Sequence, residues 1–150
     1  MEFAICSILF LTMILGIADV CRAMYAYHFV TYGAQQGARY AEVRGNSWSG
    51  SCSTSAPPNF TFSFSCKASS GDVQNFVKSL GGLNPSNVSV ATTWPGTTPD
   101  CSSSCSACAT TNSQGCTVKV KVTYAFTFIV PFLKKTSVNL SATSQKVIQM

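Results

Sequence analysis

Hydrophobic and polar positions change rhythm several times along this chain, and each change marks an element. Residues 2–44 contain no proline; positions 3–18 are uncharged and mostly apolar, and polar residues mix in only after Asp19. That pattern predicts one continuous helix over 2–44, about 65 Å long at the α-helical rise. Helices in compact domains average about 11–12 residues, so a chain of this size cannot bury such a rod by itself. A bilayer or neighbouring helices must cover the rest. Gly45, directly after Arg44, is expected to stop the helix.

Beyond the helix the period shortens. Residues 46–58 are polar and broken by Ser, Gly and Pro, which reads as a loop. Residues 59–65 alternate, with Phe60, Phe62 and Phe64 on one side, and predict a half-buried strand. Val73, Phe76, Val77 and Leu80 then recur at helical spacing. They predict a short helix opened at Ser70 or Gly71, with Asp72 at its positive end and Gly81-Gly82 at its close. Its stripe is expected to lie on a sheet. Residues 88–94 read as a strand ended by Pro95-Gly96. Residues 117–128 alternate through Val118, Val120, Val122, Tyr124, Phe126 and Phe128. The chain then turns at 131–135 and returns over 137–148, with Val138, Leu140 and Ala142 on one face. This pair is a long antiparallel hairpin, and its turn is unusually apolar, with Phe132 and Leu133 beside Lys134 and Lys135. The expected fold is α+β: a long protruding N-terminal helix over 1–44, then a head over 45–150 made of antiparallel sheet and one short helix.

Composition narrows the function. At 150 residues the chain has room for one head domain behind its helix. Charged residues make up 10% of the chain, and the net charge of +5 is scattered rather than gathered into a nucleic-acid footprint. Of eight cysteines, Cys52, Cys66, Cys101, Cys105, Cys108 and Cys116 follow the helix in Ser/Thr-rich surroundings. An even number at close spacing behind a hydrophobic segment points to disulfides and an oxidising compartment. Cys52 and Cys66 would close a loop around the phenylalanine strand. The Cys101-x3-Cys105-x2-Cys108 spacing also fits three ligands of an iron–sulfur cluster, and Cys116 adds a fourth thiol that formally suits zinc. The chain is too small for the barrel that such cluster enzymes need, so disulfides are the expected chemistry, with no metal and no cofactor. Cys6 and Cys21, about 22 Å apart along a helix, are too far apart to bridge and read as small apolar packers.

Within the helix, Asp19 and Arg22 are spaced to pair on one face, either locally near a membrane surface or in a polar contact between packed helices. Gly33-x-x-x-Gly37, with Ala34, Ala38 and Ala41 close by, admits a close-packed helix or sheet. Tyr25, Tyr27, Phe29, Tyr32 and Tyr40 read as packing residues rather than a cofactor box. His28, the single histidine, has no catalytic partner in view. The head holds no paired carboxylates beyond Asp72 and Asp100, so an enzyme is not expected. The start carries neither the basic n-region nor the small-residue cleavage site of a secretory signal, and is expected to be a mature chain whose leader has been removed.

Several ordered segments resemble one family. Glu2-Phe3-Ala4, Gly16-Ile17-Ala18-Asp19, Arg22-Ala23-Met24-Tyr25 and Gly37-Ala38-Arg39-Tyr40-Ala41 look like the start of TadE-like pilins, of the tight-adherence branch of type IV pili. Val120-Lys121-Val122-Thr123-Tyr124 and Leu140-Ser141-Ala142-Thr143-Ser144 resemble their ending. The resemblance implies a prepilin cut by a prepilin peptidase, held in the inner membrane by its helix, and drawn by the pilus assembly machinery into an extracellular homo-oligomeric filament. Glu2 would then be the family's glutamate, countering the α-amino group of a neighbour, since an unpaired charge in an apolar bundle is costly. The family usually carries that glutamate fifth in the mature chain; here it is second. Subunit assembly would run through Glu2, Phe3, Ile5, Leu9, Leu11, Ile14, Gly16, Asp19, Arg22, Gly33 and Gly37. The alternatives are a minor pseudopilin that primes assembly, or a monomeric membrane-anchored ectodomain binding a surface or ligand and expected to become soluble when residues 1–44 are deleted.

Overall fold

The computed structural model describes residues 2–46, 67–98, 108, 112–129 and 137–149. The expected strand at 59–65, the Cys52–Cys66 loop, Cys101, Cys105 and the turn at 131–135 lie outside them. The element order is α1 (Glu2–Glu42), α2 (Ser70–Ser79), a 3-10 turn (Pro85–Asn87), β1 (Val88–Thr93), β2 (Thr117–Thr127) and β3 (Ser137–Val147). The fold is α+β: one long N-terminal helix, a small three-stranded antiparallel sheet and a short helix.

The sheet runs β1-β2-β3, with β2 central. Its register brings the apolar positions to one face: Val122 stands opposite Val90 and Ala142, and Tyr124 opposite Val88 and Leu140. Val118, Val120 and Val122 are fully buried on that face, while Lys119 and Lys121 on the other are exposed. Period-two alternation therefore turns directly into one dry face and one wet face. On β3 the expected face holds: Val138, Leu140 and Ala142 stand opposite Phe126, Tyr124 and Val122. Val138, at the start of this edge strand, remains 41% exposed.

The dry face is covered by the second half of α1. Val30, Ala34, Ala38 and Ala41 are each at most 1% exposed and join Val73, Val77 and the β2 valines in one core. Small side chains at helical spacing let α1 lie close on the sheet. Gly33 and Gly37 go further: a Cβ on Gly37 would come within 2.8 Å of a Val77 methyl and 3.3 Å of a Val120 methyl. α2 thus lays Val73 and Val77 into the angle between α1 and the sheet, rather than onto the sheet alone.

Local signals start α2 and tertiary contacts stop α1. Ser69 caps α2, one residue ahead of the expected start. Its hydroxyl accepts from the Asp72 N–H, and the Asp72 carboxylate accepts from the Ser69 N–H, a reciprocal capping box. Gly45 does not stop α1 through a left-handed turn, since it is not among the glycines with positive φ. The free carbonyls are taken up from elsewhere in the head: Glu42 O by the Gln149 N–H at 2.9 Å, and Arg44 O by the Ala68 N–H at 2.9 Å and by Asn112 Nδ2. Thr117, a buried polar residue, bonds Thr97 through both backbone and hydroxyl. Cys108 and Cys116 form a disulfide just ahead of β2. Cys108 is therefore not the thiolate that either metal reading requires.

Candidate functional site: the uncovered rod and its junction with the head

Packing divides α1 at Asp19. Ahead of it the large apolar side chains stand in the open: Phe3 is 86% exposed, Leu9 and Phe10 66%, and Met13 65%. An eighteen-residue window of this helix reaches a mean hydropathy of 2.0 with 6% of it buried, long and apolar enough to cross a membrane by length and composition. The boundary set by packing thus falls well before residue 44, because residues 26–41 form a layer of the head core.

At the junction sits a buried carboxylate. Asp19 is 4% exposed. Its Oδ1 accepts from Arg22 Nη1 at 2.9 Å, and its Oδ2 accepts from the Ile129 backbone N–H, just past the end of β2, at 2.8 Å. The Arg22 guanidinium also lies 5.5 Å from the Phe126 ring centre, and Phe126 meets Phe128 edge to face. The Asp19–Arg22 pair expected from spacing is present, but it serves the chain's own sheet as well as its own helix. Burial of a charge is tolerated here because several donors satisfy it.

Two clefts flank the rod where it leaves the head. One, of about 410 Å³, lies between Cys21, Tyr25 and Ala26 of α1 and Leu83, Tyr124 and Phe126 of the head. The other, of about 340 Å³, is bounded by Val20, Met24, Tyr27 and His28 on α1 and by Phe128 and Leu140. Further up, Tyr40 stacks on Phe76 at 4.7 Å and Arg44 covers its other side, which pins α2 to the helix end. Among the described residues no group of three metal-ligating side chains gathers.

The structure sorts the residues expected to take part in assembly. Phe3, Ile5, Leu9, Leu11 and Ile14 are exposed on the rod, and Gly16 has open space around it. Arg22 is half-exposed. Gly33 and Gly37, expected at a subunit contact, instead receive Val77, Val120 and Val73 of their own head. The close approach that their spacing signals is satisfied within the chain. Glu2 lies on the helix. Cys6 and Cys21 are free and exposed. Sequence reasoning missed Ile129 and Phe126 as partners of the Asp19–Arg22 pair; no local signal links positions 110 residues apart.

With this geometry in place, comparison with known families adds one finding. A family model described as TadE-like protein matches residues 1–39, which covers the rod, the junction and most of the helix that the head packs on. It is the family suggested by the residues themselves. No curated protein and no solved structure gives a match.

Proposed function

We propose that this chain is a structural subunit of a Tad-type filament, polymerising through the uncovered half of its long helix. The TadE-like match over residues 1–39 and the apolar N-terminal helix both fit a Tad pilus-related subunit. The reading is structural and not catalytic.

Polymerisation is supported by the exposed rod. Side chains such as Phe3, Leu9, Phe10 and Met13, left open by the head, are costly in water at roughly 25 cal/mol per Å² of apolar surface. Lipid covers them in a membrane-held precursor, and sister rods cover them in a filament. Rods displaced along a common axis make a heterologous contact that does not close on itself, the geometry that generates open helical polymers. In this reading Phe3, Ile5, Leu9, Leu11, Ile14 and Gly16 face neighbouring rods, Glu2 answers a neighbour's α-amino group, and Asp19 with Arg22 marks where rod becomes head. A prepilin peptidase and an assembly machinery act before this stage.

The test is electron microscopy of material sheared from cells that make the protein, with mass spectrometry of the fibres. Fibres built mainly of this chain support the reading. Fibres that depend on the chain but contain only traces of it assign it the priming role of a minor pseudopilin. Recovery solely as a single species in detergent extracts, with no fibres, assigns it to a monomeric anchored ectodomain.

A further inference from the structure

The length of the rod fixes where a bilayer must end, and the sheet reaches that level. With Phe3 at the inner boundary, the helix rises about 30 Å by Ala23, the thickness of a bilayer's hydrocarbon core. Asp19 stands about 24 Å along that rise. Its carboxylate holds the backbone of Ile129 at 2.8 Å, so the end of β2 is drawn to the outer edge of the same slab.

Among the described residues, the head presents exposed apolar side chains there. Ile129 is 63% exposed, and Val138 at the start of the adjoining strand is 41% exposed. On the same flank the cleft of about 340 Å³ is bounded by Val20, Met24, Tyr27 and His28 of the helix and by Phe128 and Leu140. About two helical turns above Asp19, Tyr25 and Tyr27 project into the open, 57% and 55% exposed. Tyrosines at that height match the aromatic belt that sits among lipid headgroups. Of the described ionisable groups at this level, Asp19 is buried with donors on both oxygens, and Arg22 is long enough to carry its charge outward.

We propose that the lower end of the sheet, Phe128 and Ile129 with the cleft beside them, is a lipid-contacting surface. It rests in the outer boundary of the bilayer, and the cleft takes the upper acyl chain of an outer-leaflet lipid. The proposal rests on the membrane-held precursor of the preceding section. It differs from a bare helical anchor in giving the head its own seat on the membrane, which fixes the tilt of the head before the rod is withdrawn.

The test uses the full-length protein in phosphatidylcholine vesicles, with tryptophan placed at one position at a time and the emission of the parent chain subtracted. The variants are Ile129→Trp at the sheet end and Leu9→Trp on the rod; both positions are exposed, so neither substitution disturbs the core. Lipids brominated near the glycerol are expected to quench Ile129→Trp about twofold more than lipids brominated near the chain end, as befits a boundary position. Leu9→Trp should show the reverse order. If Leu9→Trp is quenched and Ile129→Trp is not, the lipid seat is refuted while the anchor stands. Blue-shifted Ile129→Trp emission that no lipid quenches means a protein surface covers it, and also refutes the seat. If neither position is quenched, the anchor itself is refuted, and the seat with it.

Discussion

Asp19 Oδ2 accepts a hydrogen bond from the Ile129 backbone N–H at 2.8 Å, and this contact joins the rod to the last residues of a strand 110 positions away. It is the lowest described tie between helix and sheet, set where the covered half of α1 gives way to the exposed half. Replacing Asp19 with Ala takes a charged acceptor away from the Ile129 N–H and should cost about 1.5–3 kcal/mol, the range for a hydrogen bond to an ionised group. Arg22→Ala should cost less, about 1 kcal/mol or under, because its side chain is half in solvent and the ion pair is screened. Denaturant unfolding in detergent ranks the two, and faster exchange of the Ile129 amide in Asp19→Ala locates the loss.

Gly37 and Gly16 offer opposite outcomes for one substitution. A methyl on Gly37 would meet the Val77 side chain at 2.8 Å with Val120 and Val73 close behind. Overpacking of this kind costs about 1–3 kcal/mol, more than the better helix propensity of alanine returns. At Gly16 nothing lies within 4 Å, so alanine should stabilise the helix by about 0.5–1 kcal/mol. Thermal melts of the two variants should shift in opposite directions. A large loss of fibres in Gly16→Ala with a stable fold would place Gly16 against a neighbouring rod.

The capping box predicts a local effect. Ser69→Ala removes the acceptor for the Asp72 N–H and should destabilise the head by about 1 kcal/mol. Ser69→Asn, which keeps an acceptor at the N-cap, should recover most of it. Chemical denaturation of the three proteins compares them directly.

Truncation separates the rod from the core. A chain beginning at Ala18 keeps Val30, Ala34, Ala38 and Ala41, which lie under the sheet, and should give a folded head with dispersed amide resonances. A chain beginning at Gly45 loses that whole layer and should show no cooperative melt. The result also refines the ectodomain alternative: a soluble head has to retain the second half of the helix.

Reduction tests the disulfide. Cys108 and Cys116 are eight positions apart, and chain-entropy arguments give a loop of that size about 2.5 kcal/mol. Changing both to Ser should lower stability by up to that amount, whereas changing Cys6 or Cys21, free and exposed, should leave the melt nearly unmoved.

The sequence by itself determined the elements whose cause is local. The absence of proline and the apolar run dictated one long helix; strict alternation dictated the β2–β3 hairpin; Val73 and Val77 at helical spacing dictated α2. The sequence also holds the cap, Ser69 with Asp72 three residues on, but one residue ahead of the expected opening at Ser70 or Gly71. The surplus length of the helix likewise followed from arithmetic. Tertiary structure alone decided how that helix is divided. Gly33 and Gly37 signal that something packs closely, but spacing does not say whether the partner is another subunit or Val77 and Val120 of the same chain. The end of α1 was equally undecided, because its last carbonyls are satisfied by Gln149, Ala68 and Asn112, residues far along the chain. Asp19 belongs to the same class: a carboxylate is buried only where folding brings it enough donors, and Ile129 arrives only once the sheet has closed over the helix.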